Sequence, residues 1–247
     1  MAIFVAGFRA GRYGLTRSDP VYMGAYAGFG LMVGGALLYA ITQLPSVIQN
    51  RHDFSGDFIA IVMWLFGGMV FYGGLFGAIA GFYLYSRFMK VSFETVMKLV
   101  VPVLPLAHSV MRIGCFAAGC CHGIEHPPPL GIYFTNAIGA PNYIPLLPVQ
   151  LYESAANLLI FIILWLYTKK ERSCVISAAI YGLLYSSARF ALEFLRGDAI
   201  RGFVFGVSTS QLISIVLFAL CVIGLFFYKH NPRFRESVGV DNIDANE

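Results

Sequence analysis

The chain has 247 residues, of which 58% are hydrophobic and only 12% charged, with a formal net charge of +4 and a mean hydropathy of +0.71. Soluble domains carry roughly 25% charged residues, so the composition excludes an ordinary water-soluble domain and points to lipid as the solvent. The basic residues are scattered between apolar runs and form no face for nucleic acid, so their first reading is membrane topology. No Pro/Gly/Ser linker or internal repeat divides the chain, and the length fits one membrane domain, 1–247.

In chain order, residues 1–20 carry Arg9, Arg12 and Arg17 with no small-residue cleavage site after an apolar core. They read as a cytoplasmic or interfacial segment rather than a secretory signal. A spanning helix needs about 20 mostly apolar residues. Six runs meet or approach that length: Tyr22 to Ile48, Phe58 to Tyr85, Thr95 to Met111, Val149 to Tyr167, Val175 to Phe194 and Gln211 to Tyr228. The third is short and holds Pro102 and Pro105, which predicts a kinked or broken helix. The expected fold is all-α: a polytopic membrane protein of about six transmembrane helices around a lipid-accessible cavity. One set of loops holds Arg9, Arg12, Arg17, Arg87, Lys90, Lys169, Lys170, Arg172, Lys229, Arg233 and Arg235; the other holds Arg51, Arg196 and Arg201. Excess Lys and Arg mark the cytoplasmic side. Both termini are therefore expected there, with residues 229–247 as a cytoplasmic tail. Residues 114–148, with Pro127-Pro128-Pro129 and no clear period, become an irregular extracytoplasmic segment.

Charged side chains within a span are costly and are paired or functional. Arg112 ends the third run. Arg189 lies inside the fifth, four residues before Glu193 and so on the same helix face. A structural ion pair and an anion site both account for these residues. Guanidinium groups match phosphate with paired N–H donors and stay charged, so Arg112 and Arg189 together suit a lipid headgroup. The fourth run opens with Gln150, Tyr152 and Glu153 in its first turn. Glu153 complements the helix dipole there, and beside the arginines it is a candidate base or orienting partner. Tyr72, in the middle of the second run before Gly73-Gly74 and Gly77, reads as a core tyrosine or a substrate contact.

Three of the five cysteines and one of the five histidines fall between Cys115 and His122, with His108 and His126 nearby. The spacing matches no standard structural-zinc pattern and no second Cys pair follows, so no metal is expected. A disulfide between Cys115 and Cys120 requires the chain to turn at Gly119, because positions five apart diverge on a helix. Reactive thiol chemistry, with Arg112 lowering a thiol pKa, and a tight packing turn are the other readings. Cys174 and Cys221 lie in spans and read as small core residues.

These motifs resemble the prolipoprotein diacylglyceryl transferases, bacterial membrane enzymes that lipidate lipoprotein precursors. Arg112-Ile113-Gly114-Cys115-Phe116 with Gly119 is similar to the family's Gly-Arg-x-Gly-Asn-Phe signature. Gln150-Leu151-Tyr152-Glu153 is similar to its Gln-Leu-Tyr-Glu element. Arg189-Phe190 through Glu193-Phe194 and Arg196 resembles its Arg-Phe-x-x-Glu-Phe-x-Arg run. Ser210-Gln211-Leu212 resembles the Gly-Gln element, Tyr72-Gly73-Gly74-Leu75 the His-Gly-Gly-Leu motif, and Phe29-Gly30-Leu31-Met32 an early Tyr-Gly-Leu-Met element. The motifs keep the family's order from about Phe29 to Tyr228. Departures are Tyr72 for the motif histidine, Cys115 for Asn, Ala118-Gly119-Cys120 for Asn-Gly-Glu, Met111 for Gly and Leu147 for His. The gap before Tyr72 is short for the family's usual seven spans.

The resemblance implies a transferase that takes phosphatidylglycerol, moves its diacylglyceryl group to a cysteine thiol of a lipoprotein precursor, and releases glycerol phosphate. It implies Arg112 and Arg189 on the phosphate; on this reading Glu193 or Glu153 orients the arginines, Glu153 or His122 accepts a proton, and Tyr72 donates a hydrogen bond. Gln150, Tyr152, Gly114, Cys115, Arg196 and Gln211 would bind substrate, and Arg201 would gate the outer loop. No cofactor is expected, and the location is the bacterial inner membrane with the site facing outward. Two alternatives stand beside it: a related transferase with a non-lipoprotein acceptor, and a non-enzymatic lipid-binding, transport, metal or redox module.

Overall fold

The computed structural model describes residues 1–49, 58–197, 203–204 and 207–231. Two compact units emerge, Ile3–Val96 and Met97–Glu247 with Met1–Ala2. Five helical stretches are long and apolar enough to cross a membrane, and a bent helix pair makes a sixth. This is the polytopic all-α architecture expected from the apolar runs.

In the Ile3–Val96 unit, helix α1 (Ala2–Ala10) precedes the long helix α2 (Asp19–Gln49), then α3 (Phe58–Phe66) and α4 (Phe71–Phe88). Glycines set the seam between α2 and α4. A Cβ on Gly30 would strike the Gly77 carbonyl, one on Gly34 the Gly73 carbonyl, and one on Gly81 the Tyr26 carbonyl. Lipid offers no hydrophobic drive for helix association, so close backbone approach through small residues supplies the contact. The buried Tyr85 adds a hydrogen bond from its hydroxyl to Asp19 Oδ1 at 2.9 Å. The run from Phe58 to Tyr85 is not one straight helix, contrary to expectation. Its two halves meet at 83°. Gly67-Gly68 weakens the helix there, a Cβ on Gly68 would fall 2.6 Å from the Tyr39 ring, and the Val70 N–H donates to the Gly35 carbonyl of α2 at 3.1 Å. The break is thus satisfied by a neighbouring helix, as lipid demands. Tyr72 consequently sits in the first turn of α4, exposed, rather than at mid-span.

Helix α5 (Phe93–Val100) runs through a 3-10 turn (Val101–Val103) into α6 (Leu104–Ala118). This is the break expected at Pro102 and Pro105. Arg112 does not end the span: Ile113 to Ala118 continue the helix until Gly119, whose φ of 65° closes it. Helices α7 (Val149–Tyr167), α8 (Cys174–Glu193) and α9 (Thr209–His230) follow, packed in chain order, α6 on α7, α7 on α8 and α8 on α9. Their burial is inverted relative to a soluble bundle. Leu159, Leu220 and Phe226 face outward, whereas Ser109, Gln150, Glu153, Asn157, Ser186 and Arg189 are buried. Between α6 and α7 the chain is largely irregular, with strand β1 (Ile132–Tyr133) paired antiparallel to β2 (Pro145–Leu146). A second two-residue pair, β3 (Phe203–Val204) with β4 (Val207–Ser208), precedes α9.

Candidate active site

The polar interior of α6 to α9 is organised around one carboxylate. Arg112 Nε lies 2.6 Å from Glu153 Oε2. Arg189 Nη1 lies 3.2 Å from Glu153 Oε1 and 2.6 Å from Glu193 Oε2. Arg196 Nη1 donates to Glu153 Oε1 at 3.3 Å. The two 2.6 Å pairs are close ionic contacts without straight hydrogen-bond geometry. Glu153 is 4% exposed and Arg189 7%, so these charges are held by one another rather than by solvent. Three guanidiniums and two carboxylates are gathered in these contacts.

Local structure explains the convergence. Glu153 occupies the first turns of α7, with Gln150 and Asn157 on the same buried face. Arg189 and Glu193 are one turn apart on α8, and Arg196 follows where α8 unwinds. The segment after the cysteines is laced between two partners. Gly123 N–H donates to the Leu147 carbonyl at 2.9 Å, Ile124 N–H to Leu195 at 2.9 Å, and Gly197 N–H to His122 at 3.2 Å. A Cβ on Gly197 would collide with the Gly123 carbonyl, so glycine is needed for this close lacing. The start of α9 locks the other side. Ser208 and Gln211 form a reciprocal capping box, Ser208 Oγ donates to Glu193 Oε1 at 2.8 Å, and Arg189 Nη2 donates to Ser210 Oγ at 3.0 Å.

Of the expected site residues, Arg112, Arg189, Arg196, Glu153 and Glu193 come together. Gln150 is adjacent in role: its Nε2 donates to the Cys120 carbonyl at 2.7 Å, while its buried Oε1 has no hydrogen-bond partner among the described residues. Gln211 is a helix cap that acts on Glu193 through Ser208. Tyr152 is half-buried on α7, and Gly114 is exposed with open space beside its Cα. Tyr72 belongs to the Ile3–Val96 unit, and Arg201 lies outside the described residues. A cavity of about 610 Å³ lined by Tyr83, Ser86, Arg87, Lys90, Val91, Ser92 and Phe93 contains none of the expected site residues.

Sequence reasoning missed Ser208, which donates to Glu193, and named Ser210 only as part of a motif, not as a partner of Arg189. Serine in an apolar helix carries no distinctive spacing, so only the folded neighbours reveal these contacts. The cysteine stretch does turn at Gly119, and the Sγ atoms of Cys115, Cys120 and Cys121 lie within 4.8 Å of one another. None of the five cysteines, all of them among the described residues, is in a disulfide. Burial, and the neighbouring Cys121 and Cys115, push the Cys120 thiol up to about 11. That direction is opposite to the lowering expected from Arg112.

The description of the prolipoprotein diacylglyceryl transferase family matches residues 1–227. The chain belongs to that family. It is 36% identical over 236 residues to the phosphatidylglycerol–prolipoprotein diacylglyceryl transferase of Clostridium tetani, covering 95% of this chain and 89% of that protein. It is 36% identical over 200 residues to transferase 2 of the same name from Clostridium perfringens, covering 81% and 74%. With the Teredinibacter turnerae transferase it shares 32% identity over 219 residues, 85% of this chain and 72% of the other. Family membership makes the chain a membrane transferase that takes phosphatidylglycerol as donor.

Proposed function

We propose that this chain transfers the diacylglyceryl group of phosphatidylglycerol to the cysteine thiol of a lipoprotein precursor, acting as a single membrane domain of the bacterial cytoplasmic membrane. The observation that carries this reading is the convergence of Arg112, Arg189 and Arg196 on Glu153 inside the helix bundle. A phosphodiester brings a negative charge that guanidinium donors match. In the transfer, the thiol sulfur attacks the glyceryl carbon that bears the phosphate ester oxygen. The C–S bond forms, the C–O bond breaks, and glycerol phosphate leaves with the bonding pair. Its charge grows from about −1 toward −2, since a phosphate monoester has a second pKa near 6. Fixed guanidinium donors stabilise that growing charge at no cost of reorganisation.

Glu153, with both oxygens engaged, orients the arginines. His122 is the better proton acceptor. Its Nδ1 faces the Gly123 carbonyl at 2.8 Å, an oxygen that only accepts, so Nδ1 carries the hydrogen and Nε2 keeps its lone pair. The unpartnered Gln150 Oε1 accepts a headgroup hydroxyl, because a buried acceptor left unmet costs about 1–3 kcal/mol. Tyr152 and Gly114 border the headgroup. Tyr72 is assigned a hydrogen bond to substrate on the strength of its family motif alone, and Arg201, outside the described residues, is assigned to gating the outer loop. The distribution of Lys and Arg supports cytoplasmic termini and a site facing the exterior.

Purified protein incubated with labelled phosphatidylglycerol and a peptide carrying a lipoprotein cysteine motif tests the reading. Wild type releases glycerol phosphate and lipidates the peptide. Arg112→Ala and Arg189→Ala each lose about 10²–10³-fold in turnover, the range for removing one transition-state donor, while remaining monodisperse. Unchanged turnover in both variants removes the anion site. Glycerol phosphate release without a lipidated peptide moves the acceptor to another group.

A further inference from the structure

The transfer reaction leaves unused a cluster of metal-ligating side chains among the described residues, the thiols of Cys115, Cys120 and Cys121. They meet because α6 ends in a specific way. Gly119 adopts the left-handed conformation, its N–H donates to the Phe116 carbonyl at 3.1 Å, and the Cys120 N–H donates to the Cys115 carbonyl at 3.1 Å. These two bonds are the Schellman pattern of a glycine-terminated helix, and they fold Cys120 back over Cys115. Cys121 follows with a φ of 58°, a conformation non-glycine residues adopt rarely and mostly where a site requires it. The turn is clamped from outside. Gln150, 1% exposed, holds the Cys120 carbonyl at 2.7 Å, and Ile138 and Ala140 donate to Ala118 and Gly119 at 3.0 and 2.8 Å.

We propose that Cys115, Cys120 and Cys121 form a three-thiolate site for one thiophilic metal ion, monovalent copper. A metal–sulfur bond of about 2.3 Å puts three ligand sulfurs roughly 4 Å apart. The sulfurs here lie within 4.8 Å of one another, so small side-chain rotations close the set without moving the backbone. All three residues are half-buried, which leaves an entry path. Soft thiolates select copper(I) or zinc. Three ligands match the lower coordination number of copper(I), whereas structural zinc takes four protein ligands. The neighbouring His122 turns its Nδ1 to the Gly123 carbonyl and is not part of the thiol group. The sequence expectation of no metal rested on the lack of a standard zinc spacing and of a second Cys pair, whereas the turn at Gly119 brings three thiols together. Bound metal would staple the end of α6 to the turn that Gln150 holds, and it assigns Cys115 to the thiol cluster rather than to the headgroup.

The test uses the full-length protein, purified in detergent, reduced and kept anaerobic. It is loaded separately with copper(I) and zinc(II) and dialysed against a competing chelator, and bound metal is counted by elemental analysis. Wild type and Cys174→Ser/Cys221→Ser are expected to keep one equivalent of copper(I). Cys115→Ser, Cys120→Ser and Cys121→Ser should each lose at least about 10–100-fold in affinity, since removing even an outer-shell partner costs that much. A second readout needs no variant: copper(I) protects three of the five thiols from maleimide, mapped by peptide mass to Cys115, Cys120 and Cys121. Failure to retain copper(I), retention of zinc(II) alone, copper(I) held equally by the triple serine variant, or protection of Cys174 or Cys221 instead would each overturn the proposal.

Discussion

The α2–α4 seam and the α6–α9 interior solve the same problem, holding helices together in lipid, by opposite means. The seam brings Gly30 and Gly34 against Gly77 and Gly73 and relies on close packing, with the Tyr85–Asp19 hydrogen bond at one end. The interior buries five charged side chains around Glu153. Packing of small residues supports helix association in a bilayer, and the seam relies on it. A buried ionic network is weak evidence of added stability, because desolvation offsets most of its attraction. Under the proposed function the burial of these charges serves headgroup binding.

Four substitutions break or sharpen that contrast. The largest effect is expected from Glu153→Gln, which leaves three guanidiniums facing one carboxylate. Breaking a buried pair costs about 3–5 kcal/mol, and turnover should fall with stability; thermal unfolding in detergent alongside glycerol phosphate release reads both. A fully stable, active variant would remove Glu153 from the centre of the site. Next, Gly77→Leu forces a side chain into the Gly30 backbone and should destabilise by about 1–3 kcal/mol, as overpacking does. Its unfolding transition should drop, while an unchanged transition would mean the seam is not closely packed. Ser208→Ala removes the α9 cap and the donor to Glu193, worth about 1 kcal/mol as a cap. Steady-state kinetics should show kcat reduced with the KM for lipid altered little, because the headgroup donors remain. The smallest effect is expected at Tyr72→Phe, which removes one hydroxyl and about 0.5–1.5 kcal/mol of hydrogen bonding; wild-type turnover would end its role as a donor.

Much of the interior was legible because charges in apolar runs have few explanations. Arg189 and Glu193 pair at the i,i+4 spacing expected of them, and Pro102 and Pro105 mark a real break. Glu153 was read as a dipole complement or partner, but that three guanidiniums would meet on it depends on which helix faces point inward, which periodicity in an all-apolar chain does not encode. The bend at Gly67-Gly68 was missed because hydropathy is continuous across it, and its cause is a neighbour, the Tyr39 ring. The end of α6 was set too early at Arg112, since charge was taken as the boundary when the terminator is the left-handed Gly119. The same turn gathers the three thiols, a relation visible only in three dimensions.

The account stands or falls on where the lipid phosphate binds. An electron cryomicroscopy map of the protein in phosphatidylglycerol nanodiscs should show headgroup phosphate about 3 Å from guanidinium nitrogens of Arg112 and Arg189, hydrogen-bond distance for a charged pair. Phosphate density held elsewhere, for instance by Arg87 and Lys90 in the cavity at the end of α4, with both arginines contacting only Glu153 and Glu193, would contradict it.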